Sequence, residues 1–269
     1  MRDNVFQHKL QARTVFLSDL HLGSRGCHAE RLLEFFERVN PERVFLIGDV
    51  VDLESLKRGL YWPASHMAVV RRLIGLARGG VPVTYIPGNH DAEVREFVGT
   101  QFADIEIHRE RVHVTADGRR LLVVHGDEFD RAASRSRWLS FFGTHAYDAT
   151  LLLSERLSAV RRSLGLSHWS LVAYLKARIG TALAYMESFE RTAALAARRR
   201  GFDGIVCGHI HRPRIEMVEG ILYCNDGDWV ESCSALIEDA HGRLALWHAA
   251  EIDLEAGVAP SLAALDRAA

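Results

Sequence analysis

Five short stretches of the 269-residue chain carry residues able to bind metal: Asp19-Leu20-His21, Gly48-Asp49, Gly88-Asn89-His90-Asp91, His125-Gly126-Asp127 and Gly208-His209-Ile210-His211. Carboxylate, imidazole and amide donors without a thiolate suit hard or borderline divalent ions such as Mn²⁺, Fe²⁺ or Zn²⁺. Counting two from each alternating triplet and one from each other stretch, the five together offer seven potential ligands, too many for one ion and suited to two that share a carboxylate. Two ions ~3.5–4 Å apart activate water and clamp the oxygens on which charge builds during displacement at phosphorus. The chemistry indicated is hydrolysis of a phosphate ester or anhydride. Taken singly, each stretch has a plainer reading, because Pro-Gly-Asn and Gly-Asp serve turns and a histidine after a strand is commonly only hydrogen-bonded. The alternate spacing of Asp-x-His and His-x-His predicts, by strand geometry, that both side chains of each triplet point to one side.

Position is what brings the stretches together. Each follows an apolar run, in order VFLS, FLI, TYIP, LLVV and IVC. Residues just past the carboxyl ends of strands in an open α/β sheet converge on one crevice. In the first half, runs at 15–19, 44–49 and 83–89 alternate with helical patterns near 29–39 and 65–78, which predicts βαβ units and a largely parallel, buried sheet. The later runs VHVT, LLVVHGD, GIVCGHIH, RIEMV, ILYCNDGD, SALIED and RLALWHA follow one another across turns such as Asp117-Gly118 and His241-Gly242. They predict a β-rich half that forms a second sheet packed on the first.

Between LLVVHGD and GIVCGHIH, residues 130–200 read as helix throughout. This segment holds 12 Lys or Arg against five acids, and many large apolar residues, Trp138, Phe141, Leu152 and Trp169 among them. It is either a helical subdomain with its own core and a solvated Arg face, or a lid suited to an amphiphilic anion or a membrane surface. The expected organisation is a core of 1–129 and 201–255, a helical insertion at 130–200 and an alanine-rich tail at 256–269.

A hydrophobic fraction of 48% with 25% charged residues is that of a soluble globular protein. The formal net charge of -2 provides no general field for nucleic acid, and the basic segment interleaves its arginines with bulky aliphatics rather than spaced aromatics. No nucleic-acid partner is expected. The four cysteines, Cys27, Cys207, Cys224 and Cys233, form no C-x-x-C pair, which excludes a zinc knuckle and a thioredoxin-like motif. With no export signal and no apolar run near ~18 residues, the expectation is a protein of the reducing cytosol that is soluble or rests on a membrane without crossing it. Cys27 reads as a small buried apolar residue, and Asp226, Asp228 and Trp229 in CNDGDW as a turn braced by acids.

In type, spacing and order, Asp19-x-His21, Gly48-Asp49-x-x-Asp52, Gly88-Asn89-His90-Asp91, His125-Gly126 and Gly208-His209-x-His211 resemble the motif set of the calcineurin-like metallophosphoesterases, across residues 19 to 211. The resemblance implies an α/β/β/α sandwich of two mixed sheets with a dinuclear site on one edge. It implies one metal ion held by Asp19, His21, Asp49 and His211, and a second held by Asp49, Asn89, His125 and His209. Mn²⁺ is the expected ion, and Fe²⁺ or Zn²⁺ also suit. Asp49 is then the bridge, and a hydroxide between the ions the nucleophile. His90 is expected to face the substrate, with Asp91 orienting it by accepting a ring N–H. Asp52 has the family's position, with bracing of the Asp49 turn as its expected role.

The stretches SDLHLGSRGC, GDVVD, WPASH, YIPGNHD and CNDGDWVES further resemble the UDP-2,3-diacylglucosamine hydrolase branch, particularly its second group. That resemblance implies a pyrophosphatase of lipid A biosynthesis, cytoplasmic and peripheral on the inner membrane. Water would attack the phosphate attached to uridine and release UMP and diacylglucosamine 1-phosphate, while the helical insertion binds the acyl chains. Lys176 and Arg178 of the insertion are candidate contacts to a substrate phosphate, with Asn89 and His90. One position departs from the best-known group, which typically has arginine where this chain has His90. A sugar phosphate leaves readily as an anion, its second pKa being about 6, so a fixed positive charge suffices. An alkoxide leaving from a phosphodiester is far more basic, and a proton donor there contributes ~10²–10⁴-fold. His90 therefore serves a phosphodiesterase acting on a soluble or cyclic nucleotide at least as well. A non-catalytic metal-binding scaffold is the remaining alternative.

Overall fold

The strand-like runs Val15 to Leu17 and Val44 to Ile47 have every position buried, so their faces divide between two layers, as side chains alternate along a strand. The computed structural model describes residues 9–130 and 171–249. Leu10–Ala12 (β1) pairs in parallel with Val39–Pro41 (β3) as a small separate sheet. The larger sheet centres on Thr14–Leu17 (β2), Val44–Ile47 (β4) and Val83–Ile86 (β5), all parallel. Helices Ala29–Arg38 (α1), Leu53–Arg58 (α2) and Ala64–Arg78 (α3) fall in the connections between these strands. α1 repeats its apolar residues at helical spacing and buries Leu32, Phe35 and Phe36. Pro63 caps the start of α3, where a missing N–H costs nothing.

Two further pieces extend this sheet. Gln101–Phe102 (β6) and Ile105–Ile107 (β7) add to the β5 side. Ser234–Glu238 (β13) and Leu244–His248 (β14) add to the β2 side, with β13 antiparallel to β2. The final order is β14-β13-β2-β4-β5-β7-β6. The runs SALIED and RLALWHA thus join the first sheet, correcting the expectation that all later strands form the second. The second sheet has five strands, ordered Arg214–Val218 (β11), Ile221–Asn225 (β12), Gly204–Cys207 (β10), Arg120–Val123 (β9) and Arg111–Val114 (β8). Its inner strands β12, β10 and β9 are parallel.

The layers follow from alternation. Val15, Leu17, Val44 and Leu46 share a core with Leu32, Phe35, Val69 and Leu73 of the helices. Their neighbours Phe16, Phe45 and Ile47 instead pack with Leu121, Val123, Val206 and Cys224 between the two sheets. On the far face of the second sheet, Leu122, Ile205 and Tyr223 are equally buried, as are Ala193, Ala194 and Ala197 in the last turns of Leu171–Arg199 (α4). This is the expected α/β/β/α fold with a helical insertion.

The chain divides into two compact units, one holding residues up to Asp127 and from Ala193, the other running from Glu128 to Thr192. α4 therefore begins in the insertion and ends in the core unit. Within the second unit, Tyr185 hydrogen-bonds Asp130 and the Phe189 ring meets Phe129 edge-on. Residues 131–170 of the expected insertion and the tail at 256–269 lie outside the described residues. Among those described, no helix is long and apolar enough to cross a membrane.

Candidate metal centre

β2, β4 and β5 are neighbours in one sheet and β9 and β10 in the other, so five carboxyl ends lie along one edge of the sandwich. Asp19 and His21 follow β2, Asp49 follows β4, Asn89 to Asp91 follow β5, His125 follows β9, and His209 and His211 follow β10. The first two loops are sewn together: Asp19 N–H donates to Gly48 O (3.0 Å) and His21 N–H to Asp49 O (2.9 Å).

Of nine non-glycine residues with positive φ among those described, five are Asp19, His21, Asp49, His209 and His211, at 50–69°. This backbone costs of order 1–3 kcal/mol per residue and gathers at functional sites. The triplets are thus not extended, and the inference drawn from strand alternation needs correction. Asp19 and His21 do converge, but His209 and His211 part company. One group comprises Asp19, His21 and His211, another Asp49, His125 and His209, each with ligand atoms within 4.8 Å of one another. In the first, Asp19 Oδ1 lies 3.1 Å from His211 Nε2 and 3.8 Å from His21 Nε2. In the second, His125 Nε2 lies 3.5 Å from Asp49 Oδ2 and 3.3 Å from Asn89 Oδ1.

These groups fit cations. His21 Nε2 is buried without a hydrogen-bond partner, which a metal bond would satisfy. His125 Nδ1 lies 2.9 Å from Ile47 O; donating there leaves the Nε2 lone pair facing two oxygens, an arrangement a cation resolves. Gly88 admits this closeness, because a Cβ there would collide with the Asp49 carboxylate and the His125 ring. Burial pushes the Asp19 carboxyl up, yet the adjacent His211 outweighs it and holds it at about 2. Burial likewise raises Asp49, and His125 pulls it well below the usual carboxylate range. For the rings, burial lowers His211 and Asp19 raises it to about 9, while burial lowers His125 and Asp49 raises it well above the ordinary imidazole value. The carboxylates are held ionised in a buried place, as cation ligands must be.

A third group joins His21, Asp52 and His90. His90 Nδ1 lies 3.2 Å from Asp52 Oδ1, and His21 Nδ1 lies 3.5 Å from Asp52 Oδ2. Asp52 also caps α2 by accepting from Ser55 N–H at 2.8 Å. Asp91, expected to orient His90, does not do so. Its carboxylate accepts from Val50 N–H (2.7 Å), Gly88 N–H (2.6 Å) and the Tyr85 hydroxyl, fastening the Asp49 loop to the Asn89 loop. Consecutive residues in a tight turn point apart, so Asp91 turns inward while the His90 side chain stays 30% exposed. Burial lowers the His90 pKa, but the Asp52 bond and the Asp49 charge raise it overall.

Sequence reasoning missed Tyr85, whose signal is one polar tip in an apolar strand. It also missed the link from Ser18 Oγ to buried Asp226 Oδ1 (2.8 Å), which ties the β2 loop to the end of β12. Asp228 does brace its turn, accepting from Val230 N–H at 2.7 Å, and Trp229 lies in the core. Cys27 is buried in that same core, and burial pushes its thiol up to about 12. Lys176 and Arg178 fall in α4, and their side chains lie outside the described residues.

Comparison with known proteins decides the family. The profile of the calcineurin-like phosphoesterases matches residues 12–213. The chain belongs to that family. Its paired clusters and this membership make it a metal-dependent hydrolase built as a dinuclear phosphoesterase. Among curated relatives, the phosphoesterase is 29% identical to a UDP-2,3-diacylglucosamine hydrolase of Xanthomonas campestris pv. campestris (strain B100), covering 85% of this chain and 96% of that one. A protein of the same name from Edwardsiella ictaluri is 24% identical, over 75% and 77% of the two chains. Of solved structures, the phosphoesterase Yfce from E. coli is 18% identical, with a TM-score of 0.44 over 84% of this chain and 87% of that one.

Proposed function

We propose that this phosphoesterase hydrolyses UDP-2,3-diacylglucosamine at the phosphate attached to uridine. A P–O bond to water forms, the anhydride P–O bond breaks, and UMP and 2,3-diacylglucosamine 1-phosphate leave, a step of lipid A biosynthesis. The observation that carries the reading is the pair of donor clusters at one sheet edge, in a chain matching 96% of the length of a relative that bears this activity's name. One divalent ion belongs with Asp19, His21, Asp49 and His211, the other with Asp49, Asn89, His125 and His209. Bound there, two ions, Mn²⁺ in this proposal, lower the pKa of water and stabilise charge on the phosphoryl oxygens. Asp49, of the second cluster, is in this reading the ligand that both ions would share, and the His90 N–H fixes it, 2.8 Å from its Oδ1. Asn89 aims its amide oxygen at the second cluster, and His90, held through Nδ1 by Asp52, presents its other nitrogen to the leaving group. With an amphiphilic substrate, the protein would work at the cytoplasmic face of the inner membrane.

A second reading keeps the chemistry and changes the substrate to a soluble phosphodiester. The His90–Asp52 pair favours it, since a positioned imidazolium serves an alkoxide leaving group best. Assaying Mn²⁺-loaded protein for UMP release from UDP-2,3-diacylglucosamine, beside cleavage of a chromogenic phosphodiester, separates the two. UMP release is expected; cleavage of the diester alone would assign the phosphodiesterase.

A further inference from the structure

We propose that the ion pair between Arg95 and Asp127 is a clasp that positions Asn89 and His125 for the second metal ion. The inference rests on the dinuclear reading above. Arg95 sits on the 3-10 turn Ala92–Phe97, directly after the Asn89 loop. Its Nη2 donates to Asp127 Oδ1 at 2.7 Å and, more weakly, to Pro87 O at 3.4 Å. Pro87 stands two residues before Asn89, and Asp127 two residues after His125. A single guanidinium nitrogen therefore touches two of the four loops that deliver donors to the second cluster, one from each sheet.

The pair differs from ordinary surface bridges. Its side chains are 29% and 17% exposed, against 79% and 50% for Arg58–Glu54, and partial burial is what lets an ion pair hold geometry rather than flicker in solvent. Its importance comes from what else joins these loops. Among the described residues, the other close polar contact between them brings His125 Nε2 to 3.3 Å from Asn89 Oδ1. Both atoms are ligands that an ion would take for itself, so that contact ties nothing once the site fills. Arg95–Asp127 then remains as the tie across the gap. The Asp19 loop of the first cluster is held by other bonds, Ser18–Asp226 and the one from His209 N–H, on the loop that also carries His211, to Asp19 Oδ2 (2.9 Å). The clasp should consequently act on one ion and spare the other.

Calorimetric titration of metal-free full-length protein with Mn²⁺ tests this. Wild type should take up two equivalents. Arg95→Met and Asp127→Asn should each weaken one equivalent about 10–100-fold, the range for residues that orient metal ligands, leaving the other unchanged. The double variant should lose no more than either single one, because the two groups act as a unit. Both equivalents binding at wild-type affinity in the single variants would overturn the clasp. So would equal weakening of both equivalents with a lowered melting temperature, which marks a merely structural role. Wild type binding fewer than two equivalents would instead overturn the dinuclear reading, and the clasp with it.

Discussion

At the scale of residues, two aspartates exchange the parts that their neighbours in sequence suggest. Asp91 adjoins His90 in the chain but serves the backbone, whereas Asp52, 38 residues upstream, meets the His90 ring. Their substitutions should separate cleanly. Asp52→Asn removes the partner that raises the His90 pKa. If His90 donates a proton, activity is lost as pH rises through that pKa, so the alkaline limb of the kcat profile should move to lower pH. On a phosphodiester with a basic leaving group kcat should fall about 10²-fold, and much less on an anhydride. Metal content measured alongside separates this from any effect through His21. Asp91→Asn should leave the limb in place and cost about 1.5–3 kcal/mol of stability, the range for hydrogen bonds to a charged group, read as a lower melting temperature. The candidate metal donors themselves were legible because each follows an apolar run and so had to stand at a strand end. The roles of Asp52 and Asp91 were not, because backbone direction within a turn is set by tertiary hydrogen bonds rather than by residue type.

At the scale of elements, the hydrophobic pattern located the central strands and the helices α1 and α3 to within about three residues, as periodicity does best. It could not assign β13 and β14 to a sheet, because alternation marks a strand without naming its neighbour. β6 and β7, two and three residues long, hold too little period to be seen. Alternation makes Phe16 a test of the layer structure. Its ring stacks on Phe45 at 5.3 Å and 7° between the sheets, with His113 edge-on at 5.3 Å. Phe16→Ala should destabilise the protein by about 3–5 kcal/mol, the loss of a large buried side chain plus the cavity left behind. The urea midpoint should drop with an unchanged slope, since the variant exposes the same surface on unfolding. A loss below about 1 kcal/mol would mean that Phe16 faces a space able to collapse, against the packing described.

At the scale of the whole core unit, the sheets are tied at both ends. The metal edge has Ser18–Asp226 and Arg95–Asp127; the opposite end has a buried charge cluster around Glu238. There, Glu238 Oε2 lies 2.7 Å from His113 Nε2 on the second sheet, and Oε1 accepts from Arg13 Nη1 (2.6 Å) and Ala116 N–H (2.7 Å). Both the His113 and Glu238 side chains are fully buried. Burial raises the Glu238 pKa, but the His113 bond and the Ala116 N–H outweigh it, leaving the carboxyl below its ordinary value of 4.5. A carboxyl depressed in the folded state adds stability that is present above its unfolded pKa and lost as pH falls through the folded one. Glu238→Gln should therefore be destabilised by about 3–5 kcal/mol at pH 7, the cost of stripping one partner from a buried pair. That deficit should shrink below pH ~4.5 as the wild-type carboxyl takes up its proton. Asp19, Asp49 and Asp52 are also depressed and lose stability in acid with the same sign, but they do so equally in both proteins and cancel in the difference. Melting curves of the metal-free pair from pH 7 to 3 isolate the Glu238 contribution, and a deficit that stays constant across that range would show that this cluster holds the sheets by packing rather than by charge.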